Sequence, residues 1–210
     1  MGSLSTLPAS IAFPAPPTLA GWAVWLSLLG MLAYALYHWR AYQPAMKRIE
    51  WGFLVGLLLL TLVANVFILR PFASSARPLP NLPVQPPGSA LIVFSAIPWL
   101  LSGGLIGPLG AAAVGALAGL LRGTLDTYSL FSIIEFALMG AWFSTNTRQR
   151  FRTPVYSLLR QPIVGALLLI PLHALLYIVV ALFTQWGVDI PTTARLDFAI
   201  SNTGIVTLAF

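Results

Sequence analysis

Three charged residues, Arg122, Asp126 and Glu135, stand inside or beside long apolar stretches. Charge is costly in such surroundings, so each is a candidate functional residue with a partner to be named. Arg122 and Glu135 flank one short connection, Arg122-Gly123-Thr124-Leu125-Asp126-Thr127. Their side chains are therefore expected to meet. One reading is a structural ion pair that pins a helical hairpin. The other is a polar pocket, open to the outside, in which Arg122 holds an anionic ligand group with Glu135 and Asp126 beside it. Asp197 and Asn202, near the start of the last apolar stretch, are candidates for the same pocket. Trp99, central in its stretch, either packs internally or stacks on a ligand. His173 follows Pro171 by two residues. Its expected role is a neutral imidazole bonded to a nearby carbonyl, with a proton relay as the alternative.

Covalent chemistry finds no such footing. There is no cysteine, only two histidines (His38 and His173), and five acids on separate segments. Metalloprotease, serine-hydrolase and phosphate-loop patterns are absent. The expectation is a non-catalytic chain with no cofactor and no metal. Any catalytic output would belong to a cytoplasmic domain outside this sequence.

The elements that must position these residues are transmembrane helices. Hydrophobic residues make up 58% and charged residues 8%, with a mean hydropathy of +0.87. Soluble domains carry about 25% charged residues. A proline-rich tail over 1–18 precedes a helical domain over 19–210. Spans are expected at about 19–39, 51–69, 89–103, 106–122, 128–143, 158–183 and 194–210, of which 89–103 and 106–122 are each short for a bilayer core. The fold class is thus an all-α membrane bundle of about seven helices, a six-helix core plus one N-terminal helix. The stretch 89–122 is too long for one span and is divided at Gly103–Pro108, as two helices or as a re-entrant hairpin. Residues 144–154 are expected to form a loop. The last stretch is still apolar at Phe210, which reads as a chain cut inside or just after its final helix.

Basic residues set the orientation. Arg40, Lys47, Arg48, Arg148, Arg150, Arg152 and Arg160 fall on one side, and Arg70, Arg77, Arg122 and Arg195 on the other. The positive-inside rule then places the N-terminus outside the cytoplasmic membrane. The net charge of +6 reflects scarce acids, so the partners expected are the lipid bilayer and a small-molecule ligand, not nucleic acid. Gly103, Gly107, Gly115, Gly119 and Gly123 recur at four- or eight-residue spacing. That spacing gives either a close helix-packing face or a backbone-lined groove.

The run from Gly104 to Gly110, its continuation from Gly115 to Gly123, and Ser132 to Gly140 with Glu135 resemble bacterial membrane sensor regions. The nearest in kind is the five-transmembrane region of LytS-type sensor histidine kinases. A more distant likeness is to the substrate-binding subunits of energy-coupling-factor vitamin transporters. The resemblance implies a ligand-sensing domain of a signal-transduction protein in the bacterial inner membrane, as a homodimer or joined to a cytoplasmic signalling domain. Its alternatives are a transporter's substrate-binding component and a structural subunit of a membrane complex.

Overall fold

The computed structural model describes residues 16, 18–40, 46–65, 68–69, 91–92, 94–125, 129–149 and 154–183. Within them the chain forms α1 (Leu19–Arg40), α2 (Arg48–Ala64), β1 (Ile68–Leu69), β2 (Leu91–Ile92), α3 (Ala96–Leu105), α4 (Pro108–Leu125), α5 (Phe131–Arg148), α6 (Pro154–Leu159) and α7 (Pro162–Phe183). It is a helical bundle with one short antiparallel strand pair, Ile68 opposite Ile92 and Leu69 opposite Leu91. Two helices, Leu19–Arg40 and Pro162–Val180, are long and apolar enough to cross a membrane.

Prolines and polar side chains move several expected boundaries. The helix expected over 89–103 begins only at Ala96, and Leu91–Ile92 is strand. Pro98 is the cause. Its ring would clash with the Phe94 carbonyl and it has no N–H to donate, so the helix cannot extend back through Phe94. The span expected over 158–183 is two helices, broken at Arg160–Gln161. Pro162 opens the second at a first-turn position, where a missing N–H costs nothing. The helix expected over 51–69 starts and ends earlier, at Arg48 and Ala64, with the Lys47 N–H donating to Glu50 Oε2 (2.9 Å) at its start.

The segment over 144–148, expected to be loop, is the last turn and a half of α5. Its hydroxyls satisfy themselves on the helix: Thr145 donates to the Trp142 carbonyl (2.7 Å) and Thr147 to that of Phe143 (3.1 Å). The remaining polar groups close the α3–α4 turn. Ser144 Oγ donates to the Gly103 carbonyl (2.8 Å), and Arg148 Nη1 to that of Ile106 (2.6 Å). Carbonyls left over at the end of α3 thus find donors on α5.

The division at Gly103–Pro108 is therefore real, and α3 is the short member. Its ten residues make about 15 Å of helix, half a bilayer core. Gly107 makes the turn with φ of 125°, and its N–H donates to the Ser102 carbonyl (3.1 Å). A side chain is strained there, so Gly107→Ala should cost about 1–3 kcal/mol, read as a lowered Tm in detergent. An unchanged Tm would show that the turn relaxes without loss.

The core sits where α4 crosses α5. A Cβ on Gly115 would strike the Phe136 carbonyl, and one on Gly119 the Ser132 carbonyl. One on Gly140 would lie 2.5 Å from the Ala111 carbonyl oxygen. Ala111, Gly115 and Gly119 therefore face Gly140, Phe136 and Ser132, four residues apart on each helix and antiparallel in register. The glycine spacing on α4 is a packing face. Around it lie the buried Trp99, Val114, Phe136, Met139 and Phe143.

Candidate functional site

The crossing decides where the charged residues come to lie. Arg122 follows Gly119 by three residues on α4, and Glu135 follows Ser132 by three on α5. Because the helices run antiparallel, these steps carry the two positions in opposite directions, about 9 Å apart along the axis, so the Arg122 side chain lies back along α5 to reach Phe136. Glu135 and His173 are 7% and 1% exposed, and His173 Nε2 lies 3.3 Å from Glu135 Oε1. Arg122 is half-buried, its Cζ 5.3 Å from the centroid of the Phe136 ring, a cation–π distance. On α7 the half-buried Tyr177 stands one turn beyond His173. Three helices thus meet here: Arg122 of α4 lies over Phe136 of α5, and Glu135 of α5 contacts His173 of α7.

The group lies towards one end of the bundle. Trp25 Nε1, near the start of α1, donates to the Leu130 carbonyl just before α5 (3.4 Å). The start of α1 also meets the end of α7, since a Cβ on Gly21 would lie 3.3 Å from the Phe183 carbonyl oxygen. At the opposite end, Arg148 and Ser144 hold the α3–α4 turn. Glu135 is about 6 Å along α5 from its first residue, at 1.5 Å per residue. The cluster is therefore closer to the end carrying Trp22 and Trp25, which pack edge to face (5.9 Å).

Arg122 lies against α5, but the residue it stacks on there is Phe136, and the residue in contact with the Glu135 carboxylate is His173. Trp99 is fully buried in the apolar core cluster that also includes Phe136. Asp126, Asp197 and Asn202 lie outside the described residues. For His173 the expectation of a carbonyl partner overlooked the Glu135 carboxylate. Tyr177 and Phe136 were not singled out. A signal for Tyr177 was present: it follows His173 by four residues, hence on the same helical face. Buried Leu169, His173 and Leu176 mark that face as the packed one. Nothing in the sequence marks Phe136.

Chemically, the arrangement can hold an anion beside Arg122 or place one proton between the Glu135 carboxylate and the His173 imidazole. Among the described residues no three His, Asp or Glu side chains gather as metal ligands. Comparison with protein-family models, curated proteins and solved structures finds no match.

Proposed function

We propose that this chain is a multi-pass membrane domain that senses a small anionic molecule from outside and is itself non-catalytic. The observation carrying this reading is the meeting of three helices near one end of the bundle, where Arg122 of α4 lies over Phe136 and Glu135 of α5 contacts His173 of α7. A purely structural pair needs two helices. A cluster that also engages α7 links the ligand position to a helix able to move against α5. Pro171 removes one backbone hydrogen bond within α7 and supplies a hinge two residues from His173.

Support for the membrane reading comes from the perimeter. Tyr34, Phe53, Val55, Leu59, Ile163, Leu167 and Leu175 are all more than half exposed, an apolar surface larger than soluble proteins leave uncovered. In this reading the tryptophan-bearing end faces outward and the end with Arg148 and Arg160 faces the cytoplasm.

Two measurements test the proposal. The chain has no cysteine, so single-cysteine variants report topology cleanly. In intact bacterial cells an impermeant maleimide should label Thr18→Cys and spare Lys47→Cys; the reverse labelling would invert the orientation. Short-chain carboxylates and phosphate esters should then be screened by thermal shift on detergent-purified protein. One that binds should stabilise by about 2.7 kcal/mol at 100 times its Kd, and Arg122→Gln should erase the shift. No stabilising compound, or equal shifts in the variant, would leave Arg122 a structural residue.

A further inference from the structure

We propose that the junction between the end of α2 and the start of α3 binds a dehydrated monovalent cation, Na+ in preference to K+, through neutral oxygens led by Asn65 Oδ1. Asn65 caps the end of α2 and is 1% exposed. Its Nδ2 donates to the Thr61 carbonyl (2.8 Å). A carbonyl only accepts, so this contact fixes which end of the amide is nitrogen. Oδ1 is thereby turned away from the α2 main chain. It is enclosed and has no hydrogen-bond partner among the described residues. A buried acceptor is costly unless something positive meets it.

The neighbouring groups are acceptors too. Thr61 stands one turn earlier on the same buried face, and its hydroxyl hydrogen is committed to the Leu57 carbonyl (2.7 Å). Only lone pairs remain on Thr61 Oγ1. That face of α2 packs on α3 and α4. The strand pair sets the register, because Asn65 precedes Ile68 by three residues and Ser95 follows Ile92 by three. Asn65 and Ser95 therefore lie at the same end of the α2–α3 pair. Ser95 is buried at the cap position of α3, yet its hydroxyl makes no cap hydrogen bond. The last turn of α2 carries no basic residue, so the partial negative charge of its terminal carbonyls is not offset there.

A set of acceptors calls for a species that is positive on every side. Water offers lone pairs as well as hydrogens, and Oδ1 is enclosed too closely for a water-sized body to reach it. A dehydrated Na+ is smaller than water, whereas K+ is about water's size. Hard cations take oxygen ligands, and a set without a carboxylate suits a single positive charge. The carbonyl ends of helices hold Na+ in membrane transporters in the same way.

The test needs no organic ligand, so its outcome is independent of the anion-sensing reading. Detergent-purified protein in choline chloride is titrated with NaCl or KCl at constant ionic strength while the Tm is followed. The Tm should rise saturably with NaCl, and KCl should match it only at higher concentration. Asn65→Leu keeps the approximate shape and removes the enclosed acceptor. Its apparent Na+ affinity should fall by about tenfold or more, as for loss of one bond to a charged group. Thr61→Val removes the second acceptor and should also weaken Na+, which gives a readout if Asn65→Leu fails to fold. Ser102→Ala is the control. Its buried hydroxyl also lacks a partner among the described residues, but it stands about 10 Å along α3 from Ser95, and the Na+ response should persist. No rise above choline, equal rises with NaCl and KCl, or an unchanged Na+ response in Asn65→Leu or Thr61→Val would overturn the proposal.

Discussion

Gly119→Leu is expected to leave little folded protein. The new Cβ would meet the Ser132 carbonyl, which is backbone and cannot rotate aside as a side chain can. Inserting bulk into a packed core costs about 1–3 kcal/mol where side chains can give way. Here two helices must part, so the cost should lie at the top of that range or above. Parting them would also undo the Gly115–Phe136 and Ala111–Gly140 contacts, which share the same four-residue register. Arg122 and Glu135 would separate with them, so ligand response should vanish together with stability. Gly52→Leu supplies the control. Nothing lies within 4 Å of a Cβ at Gly52, and its Tm should change by no more than about 0.5 kcal/mol would produce. Detergent-solubilised yield, monodispersity and Tm check both variants. A monodisperse Gly119→Leu protein with native Tm would show that the α4–α5 contact is not the core of the bundle.

This crossing also shows how far the sequence could be read. The glycine period on α4 is visible in the chain, because close helix approach demands small residues at one face. The face opposite is harder to recognise. On α5 the same register is met by Ser132, Phe136 and Gly140, and Phe136 enters through its main chain, to which composition is blind. That Arg122 would lie against α5 was legible because a short connection forces neighbouring helix ends together, but its partner there, Phe136, was not. His173 was visible only as a polar residue in an apolar helix. Its partner depends on how α7 lies across α5, which no spacing within α7 encodes. The misplaced boundaries have local causes. Pro98 and Pro162 act on carbonyls four residues earlier, so hydrophobicity alone runs past the true starts of α3 and α7. The polar stretch after Phe143 resembles loop in composition. It is helix because Ser144 and Arg148 answer carbonyls exposed some forty residues earlier in the chain.

The Glu135–His173 contact yields a result that separates a structural cluster from a sensing one. Glu135→Ala removes the carboxylate beside a buried imidazole and the negative charge that offsets Arg122. Leaving a buried neutral imidazole without its partner should cost near the top of about 1–3 kcal/mol, so the ligand-free Tm should fall. Glu135→Gln keeps the shape and one acceptor but not the charge, and should cost about 1–3 kcal/mol, the penalty of an imperfectly satisfied buried group. Combining Glu135→Ala with His173→Ala should give a total smaller than the sum of the two, since contacting residues couple by about 0.5–3 kcal/mol. Strict additivity would mean that the 3.3 Å contact contributes nothing. The decisive comparison is with ligand. If Arg122 serves only to balance Glu135, the Gln variant is weakened and indifferent to anions. In a sensing site the internal carboxylate competes with the incoming anion for the Arg122 field. Removing its charge should then lower the Tm of the empty protein and enlarge the stabilisation by a bound anion. Those opposite signs in one variant are what a displaceable internal counter-charge produces, and a fixed structural pair cannot give both.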